Sequence, residues 1–123
     1  MVKHRVLLAD DHQEFRAAVR ALLTRDQGIE VVAEARDGLE AVELARSTRP
    51  DVVVLDQRMP GLSGIEVVRQ LVATRPSIKI IVCSVDGEQI VAAELLRCGA
   101  SDCVGKDDAE TLPQVIHEVM SRQ

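Results

Sequence analysis

Val52-Val53-Val54-Leu55-Asp56-Gln57-Arg58-Met59-Pro60-Gly61 is a short β-branched apolar run that ends on a carboxylate and then on turn residues. The same order recurs outward from it: Val6-Leu7-Leu8-Ala9 stops at Asp10-Asp11, Ile80-Ile81-Val82-Cys83 at Ser84, and Cys103-Val104-Gly105 at Lys106. Apolar runs this short, with no polar alternation, read as strands buried on both faces of a parallel sheet. Parallel strands end on one rim. That rim gathers three carboxylates, a hydroxyl and an ammonium.

Helical periodicity fills the gaps. Phe15, Val19, Leu22 and Leu23 form one apolar stripe, and Leu39, Val42, Leu44 and Ala45 form another. Strands are predicted at about 5–10, 30–35, 51–56, 78–84 and 102–105, and helices at about 13–25, 38–48, 64–74, 88–98 and 112–121. Ser63-x-x-Glu66 and Thr111-x-x-Gln114 have capping-box spacing, the latter with Pro113 in the first turn. Gly99 is placed to end the fourth helix. Alternating strands and helices imply βαβ units with right-handed crossovers, hence an α/β doubly wound five-stranded parallel sheet. The expected strand order is 2-1-3-4-5, with a ligand site where strands 1 and 3 meet. Those two strands carry Asp10-Asp11 and Asp56.

Three clustered carboxylates resist ionising together unless a cation lies among them, and Mg²⁺ is the hard, oxygen-preferring ion that suits them. One carboxylate is then free to attack phosphorus. Lys106 neutralises phosphoryl charge and Ser84 donates to a phosphoryl oxygen, so the site is suited to an aspartyl phosphate on Asp56. Each residue also has a plainer reading. Asp10 or Asp11 would serve as a helix N-cap, Ser84 as a local turn former, and Arg58 and Lys106 as solvated surface cations. One cap needs only one aspartate, and Pro60-Gly61 already supplies the turn after Asp56. Asp37, Asp51, Asp107 and Asp108 fit loop or cap roles, and His4, His12 and His117 show no metal-ligand spacing.

At 123 residues, the expectation is one domain over residues 1–123. No apolar stretch reaches a membrane span and no signal peptide is evident, so neither membrane insertion nor export is expected and the cytoplasm is the expected location. Three cysteines without paired spacing read as reduced thiols, and a net charge of −5 argues against direct nucleic-acid binding.

Asp10-Asp11, Asp56 through Gly61, Ser84 and Lys106, each after its strand, resemble the receiver domain of two-component response regulators, over about Arg5 to Val119. Asp-His after Ala9, Gly38-Leu39-Glu40-Ala41, Gly99-Ala100-Ser101 and Lys106-Asp107 resemble its NarL/FixJ-like branch. The resemblance implies a flavodoxin-like (βα)5 fold in which Asp56, Ser84 and Lys106 do the chemistry. It also implies that Asp11 ligates Mg²⁺ directly, Asp10 through water, Asp56 as nucleophile and ligand, and Arg58 through its backbone carbonyl.

A sensor histidine kinase or phosphotransfer protein would be the phosphoryl donor. The face of the fourth helix, fifth strand and fifth helix would signal to a C-terminal helix-turn-helix output, with a phosphorylation-linked homodimer among the partners the resemblance implies. No multiple-turnover substrate is expected. A stand-alone phosphorelay shuttle or phosphate sink, and an Mg²⁺-dependent aspartyl-phosphate hydrolase or phosphotransferase, remain as alternatives.

Two positions depart from the family pattern: Val85 follows the serine where a small residue is usual, and Cys103 stands where an aromatic is common. Val85, with Arg58 reaching Asp86, is expected to shield the phosphoryl group from water. Lacking the ring, signalling is expected to pass through residues 85–88 and repacking at Ile90, Val91 and Leu95.

Overall fold

Five strands, β1 (His4–Ala9), β2 (Ile29–Ala35), β3 (Val52–Asp56), β4 (Lys79–Ser84) and β5 (Asp102–Gly105), pair in parallel in the order β2-β1-β3-β4-β5. The computed structural model describes residues 2–85 and 89–122, the side chains of 89–92 excepted. Every residue of β3 is buried, as its uninterrupted apolar run requires of a central parallel strand. Residue alternation divides the core in two. Leu7, Ala9, Val53, Leu55, Ile80 and Val82 face helices α2 (Gly38–Thr48), α3 (Gly64–Thr74) and α4 (Gln89–Cys98). Val6, Leu8, Val52, Val54, Ile81 and Cys83 face α1 (Gln13–Thr24) and α5 (Leu112–Ser121).

Local chemistry explains the helix ends. Asp37 Oδ1 accepts the Glu40 N–H at 2.8 Å and caps α2, and Ser63 Oγ accepts the Glu66 N–H at 3.2 Å and caps α3. Gly99 ends α4 at φ +125°, with its N–H donated to the Leu96 carbonyl at 3.2 Å. A Cβ at Gly99 would also meet Val72 Cγ2 at 2.8 Å. At the opposite end of the molecule from the strand tips, His117 Nε2 lies 2.9 Å from Asp26 Oδ2 and ties α5 to the α1–β2 turn. Gly28 passes beneath that imidazole, where a Cβ would stand 2.8 Å from Cε1.

Three expectations are corrected. Leu39 is 58% exposed, because the buried face of α2 is Gly38, Ala41, Val42 and Ala45; small residues let α2 pack closely on α3. Thr111 does not cap α5. A 3₁₀ turn over Lys106–Thr111 already has it in helical geometry, and its hydroxyl donates back to the Asp108 carbonyl at 2.7 Å. That turn, which the sequence pattern did not predict, winds Asp107 into helical geometry rather than an open loop, with Asp108 at a kink (φ −109°, ψ 24°). The expectations resting on Asp86, on residues 86–88 and on the side chains of Ile90 and Val91 lie outside the described residues; Leu95 is fully buried.

Candidate functional site

The tips of β1 and β3 neighbour each other, Ala9 pairing with Leu55, so the residues that follow meet at the sheet rim. Asp10 and Asp56 are 5% and 4% exposed, whereas Asp11 is solvent-facing. Asp10 is anchored from three sides. Its N–H donates to the Ala35 carbonyl at 3.0 Å, its own carbonyl accepts from Arg16 Nη1 at 2.6 Å, and its Oδ1 accepts the His12 N–H at 2.8 Å. Arg16 is held in turn by Glu34, whose Oε1 accepts from Nε at 2.9 Å. Asp10 therefore closes a local turn before α1, while the N-cap position falls to His12.

Asp56 Oδ1 accepts the Arg58 N–H at 3.2 Å. Its Oδ2 is buried and accepts no hydrogen bond from the described residues, yet Lys106 Nζ lies 3.3 Å away and 3.2 Å from Asp10 Oδ2. The ammonium thus bridges two carboxylates as an ion pair. Burial, and then the charge of Asp10, push the Asp56 carboxyl up to about 6, against the opposing pull of the Arg58 N–H and Lys106. Burial alone would lower the Lys106 ammonium; Asp56 and Asp10 outweigh it and raise it. Behind the carboxylates, burial pushes the Cys83 thiol up to about 12, so it remains an unreactive packing group at neutral pH.

Asp10, Asp11, Asp56 and Lys106 come together as the strand-end pattern predicts. Ser84 lies at the end of β4, but its hydroxyl contacts Cys103 Sγ at 3.5 Å rather than the carboxylates. Arg58 is exposed and joins the site through its backbone N–H; Val85 is exposed at 54%. Two contributors escaped sequence reasoning. His12 brings an imidazole nitrogen into the acidic group, where one ligand atom from each of Asp10, Asp11, His12 and Asp56 lies within 4.8 Å of the others. Phe15, counted only as a helix stripe residue, places its ring 4.6 Å from Lys106 Nζ. Helical spacing gives no sign of either, since both depend on how α1 seats against the rim.

The ring-to-ammonium contact is expected to be worth about 0.5–1 kcal/mol beyond the apolar burial that a leucine would retain. A double-mutant cycle of Phe15→Leu with Lys106→Met, followed by denaturant unfolding, should give a coupling energy of about that size. Zero coupling would show that the ring merely packs.

The donor set fits a divalent cation on its own chemistry. Two of the three carboxylates share one ammonium, one of them offers a buried oxygen with no hydrogen bond from the described residues, and all the donors are hard oxygens apart from His12. No helix among the described residues is long and apolar enough to cross a membrane.

Comparison with known proteins agrees with this geometry. The family model for the response regulator receiver domain matches residues 6–117. The chain is 36% identical to the transcriptional regulatory protein DegU of Brevibacillus brevis, over 95% of this chain and 50% of that protein. It is 38% identical to the chemotaxis protein CheY of Thermotoga maritima, over 83% of this chain and 84% of the relative. Among solved structures, a LuxR-family response regulator from Aurantimonas sp. superposes with a TM-score of 0.90 at 36% identity, covering 98% and 88% of the two chains. The signal receiver domain of NarL from Mycobacterium tuberculosis gives 0.87 at 33% identity, covering 99% and 100%. The chain spans about half the length of the DegU and GacA relatives, 50% and 56% respectively.

Proposed function

Because this chain belongs to the response regulator receiver domain family, we propose that Asp56 accepts a phosphoryl group from the phosphohistidine of a sensor kinase or phosphotransfer protein. The observation that carries the reading is Asp56 Oδ2, buried without a hydrogen bond beside Lys106 and within the Asp10–Asp11 cluster. A carboxylate oxygen of Asp56 attacks phosphorus, the P–N bond breaks, and the imidazole leaves with its electron pair. Asp10, Asp11, Asp56 and the Arg58 carbonyl would hold Mg²⁺, which when bound neutralises charge on the phosphoryl oxygens. Lys106 moves with the charge: it bridges Asp10 and Asp56 before transfer and is within reach of a phosphoryl oxygen afterwards. The Ser84 hydroxyl must leave Cys103 to donate to another, which links phosphorylation to a displacement at the end of β4.

Beyond this chemistry, likeness to a transcriptional regulatory protein and to a DNA-binding response regulator of the LuxR family supports a place in transcriptional regulation; within that reading we propose a cytoplasmic histidine kinase as donor and the α4-β5-α5 face as the surface that signals to a C-terminal output. Acetyl phosphate with Mg²⁺ should add one phosphoryl group per chain, mapping to Asp56, and donor consumption should stop near one equivalent once phosphoryl loss is subtracted. Sustained donor hydrolysis at many turnovers would favour the hydrolase alternative, and labelling on Ser84 would overturn the assignment.

A further inference from the structure

One side chain at the rim has no part in phosphoryl transfer. His12 occupies the N-cap position of α1, yet its side chain caps no backbone N–H, and 69% of it is exposed. Its Nδ1 points at the carboxylates instead, 3.4 Å from Asp10 Oδ1 and 3.4 Å from Asp11 Oδ1. Ligand atoms on a tetrahedral ion with bonds of about 2.0–2.1 Å stand roughly 3.3–3.4 Å apart, so this spacing is already that of two edges of a zinc-type coordination shell. Asp56 supplies the fourth atom of the group, and it is 4% exposed with a buried oxygen that accepts no hydrogen bond.

Building on the receiver reading above, we propose that His12 makes this rim a mixed imidazole–carboxylate site that takes a borderline-soft divalent ion of the Zn²⁺ class in competition with Mg²⁺. The chemistry discriminates between the ions. Mg²⁺ demands octahedral oxygen donors and keeps several waters, so an imidazole adds little to its binding. Zn²⁺ accepts nitrogen and oxygen together in a four-coordinate shell, and His12 with Asp10, Asp11 and Asp56 provides four such donors. The His12 backbone is held in place by its own N–H bond to Asp10 Oδ1 at 2.8 Å while its ring is exposed, and the four donor atoms, which lie within 4.8 Å of one another, close to the tetrahedral spacing around the ion. An ion held in this way occupies the same carboxylates that would hold Mg²⁺, so the two ions exclude each other.

Titrating the chain with Co²⁺, which reports coordination through its visible ligand-field bands, and displacing it with Zn²⁺ or Mg²⁺ gives the relative affinities. His12→Ala should shrink the preference for Zn²⁺ over Mg²⁺ by at least about tenfold and alter the Co²⁺ bands. One equivalent of Zn²⁺ should shift the His12 Nδ1 resonance in a long-range ¹H–¹⁵N spectrum. An unchanged preference in His12→Ala, or nitrogen shifts confined to His4 and His117, would overturn the proposal. If His12-dependent Zn²⁺ binding persists while Mg²⁺ supports no labelling of Asp56, the proposal stands and the receiver reading falls.

Discussion

Asp56→Asn is expected to abolish Mg²⁺-dependent labelling by acetyl phosphate, a loss on the order of a thousandfold or more, while making the metal-free protein more stable at neutral pH. Both effects come from the same oxygen. An amide cannot attack phosphorus, so the chemistry disappears with the charge. In the metal-free fold that charge is a burden, because burial and Asp10 raise the carboxyl from 3.8 to about 6. Between those values the folded chain holds a proton that the unfolded chain has released, so wild-type stability from this group falls as pH rises and stays low above about 6.

The advantage of Asp56→Asn should therefore be near zero below pH 3.8, grow through about 6 and then level off. Its plateau should be on the order of 1–3 kcal/mol. Urea unfolding of both proteins in chelator across this range measures it, and saturating Mg²⁺ should narrow the gap by stabilising the wild type. A variant that still labels, or an advantage that does not grow with pH, would overturn the account of Asp56.

Asp11→Ala and Lys106→Ala are expected to separate metal binding from phosphoryl chemistry. Asp11 is the solvent-facing member of the acidic group and has no structural hydrogen bond among the described contacts. Its removal should weaken Mg²⁺ binding by at least about tenfold and leave the fold intact. Lys106 has the opposite profile. Its ammonium opposes the metal electrostatically while holding Asp10 and Asp56 together, so Lys106→Ala should bind Mg²⁺ no more weakly than wild type and still label slowly. Isothermal titration with Mg²⁺, paired with labelling rates, distinguishes the two. Equal Mg²⁺ affinities in wild type and Asp11→Ala would remove Asp11 from the metal site.

The architecture was legible because its signals are local. Val52 to Leu55 can be buried on both faces only in the middle of a parallel sheet, and a strand order that joins β1 to β3 brings Asp10-Asp11 and Asp56 to one rim. Asp37, Ser63 and Gly99 end their helices through bonds that span four residues or fewer, a range over which residue type largely decides geometry.

Tertiary structure decided whatever depends on the angle of one element against another. Leu39 lies on the apolar stripe of α2, yet it faces out because Gly38, Ala41 and Ala45 let α2 approach α3 more closely along their own side. Thr111 loses its capping role because Lys106 must turn inward to reach Asp10 and Asp56, and the chain winds into a 3₁₀ turn as it leaves β5. Phe15 beneath Lys106 and His12 beside Asp10 and Asp11 follow from the seating of α1 on the sheet. Periodicity along the chain states which face of a helix is apolar; the height and rotation at which that face docks are set by side-chain packing across the core, and they determine which residues near its first turn reach the rim.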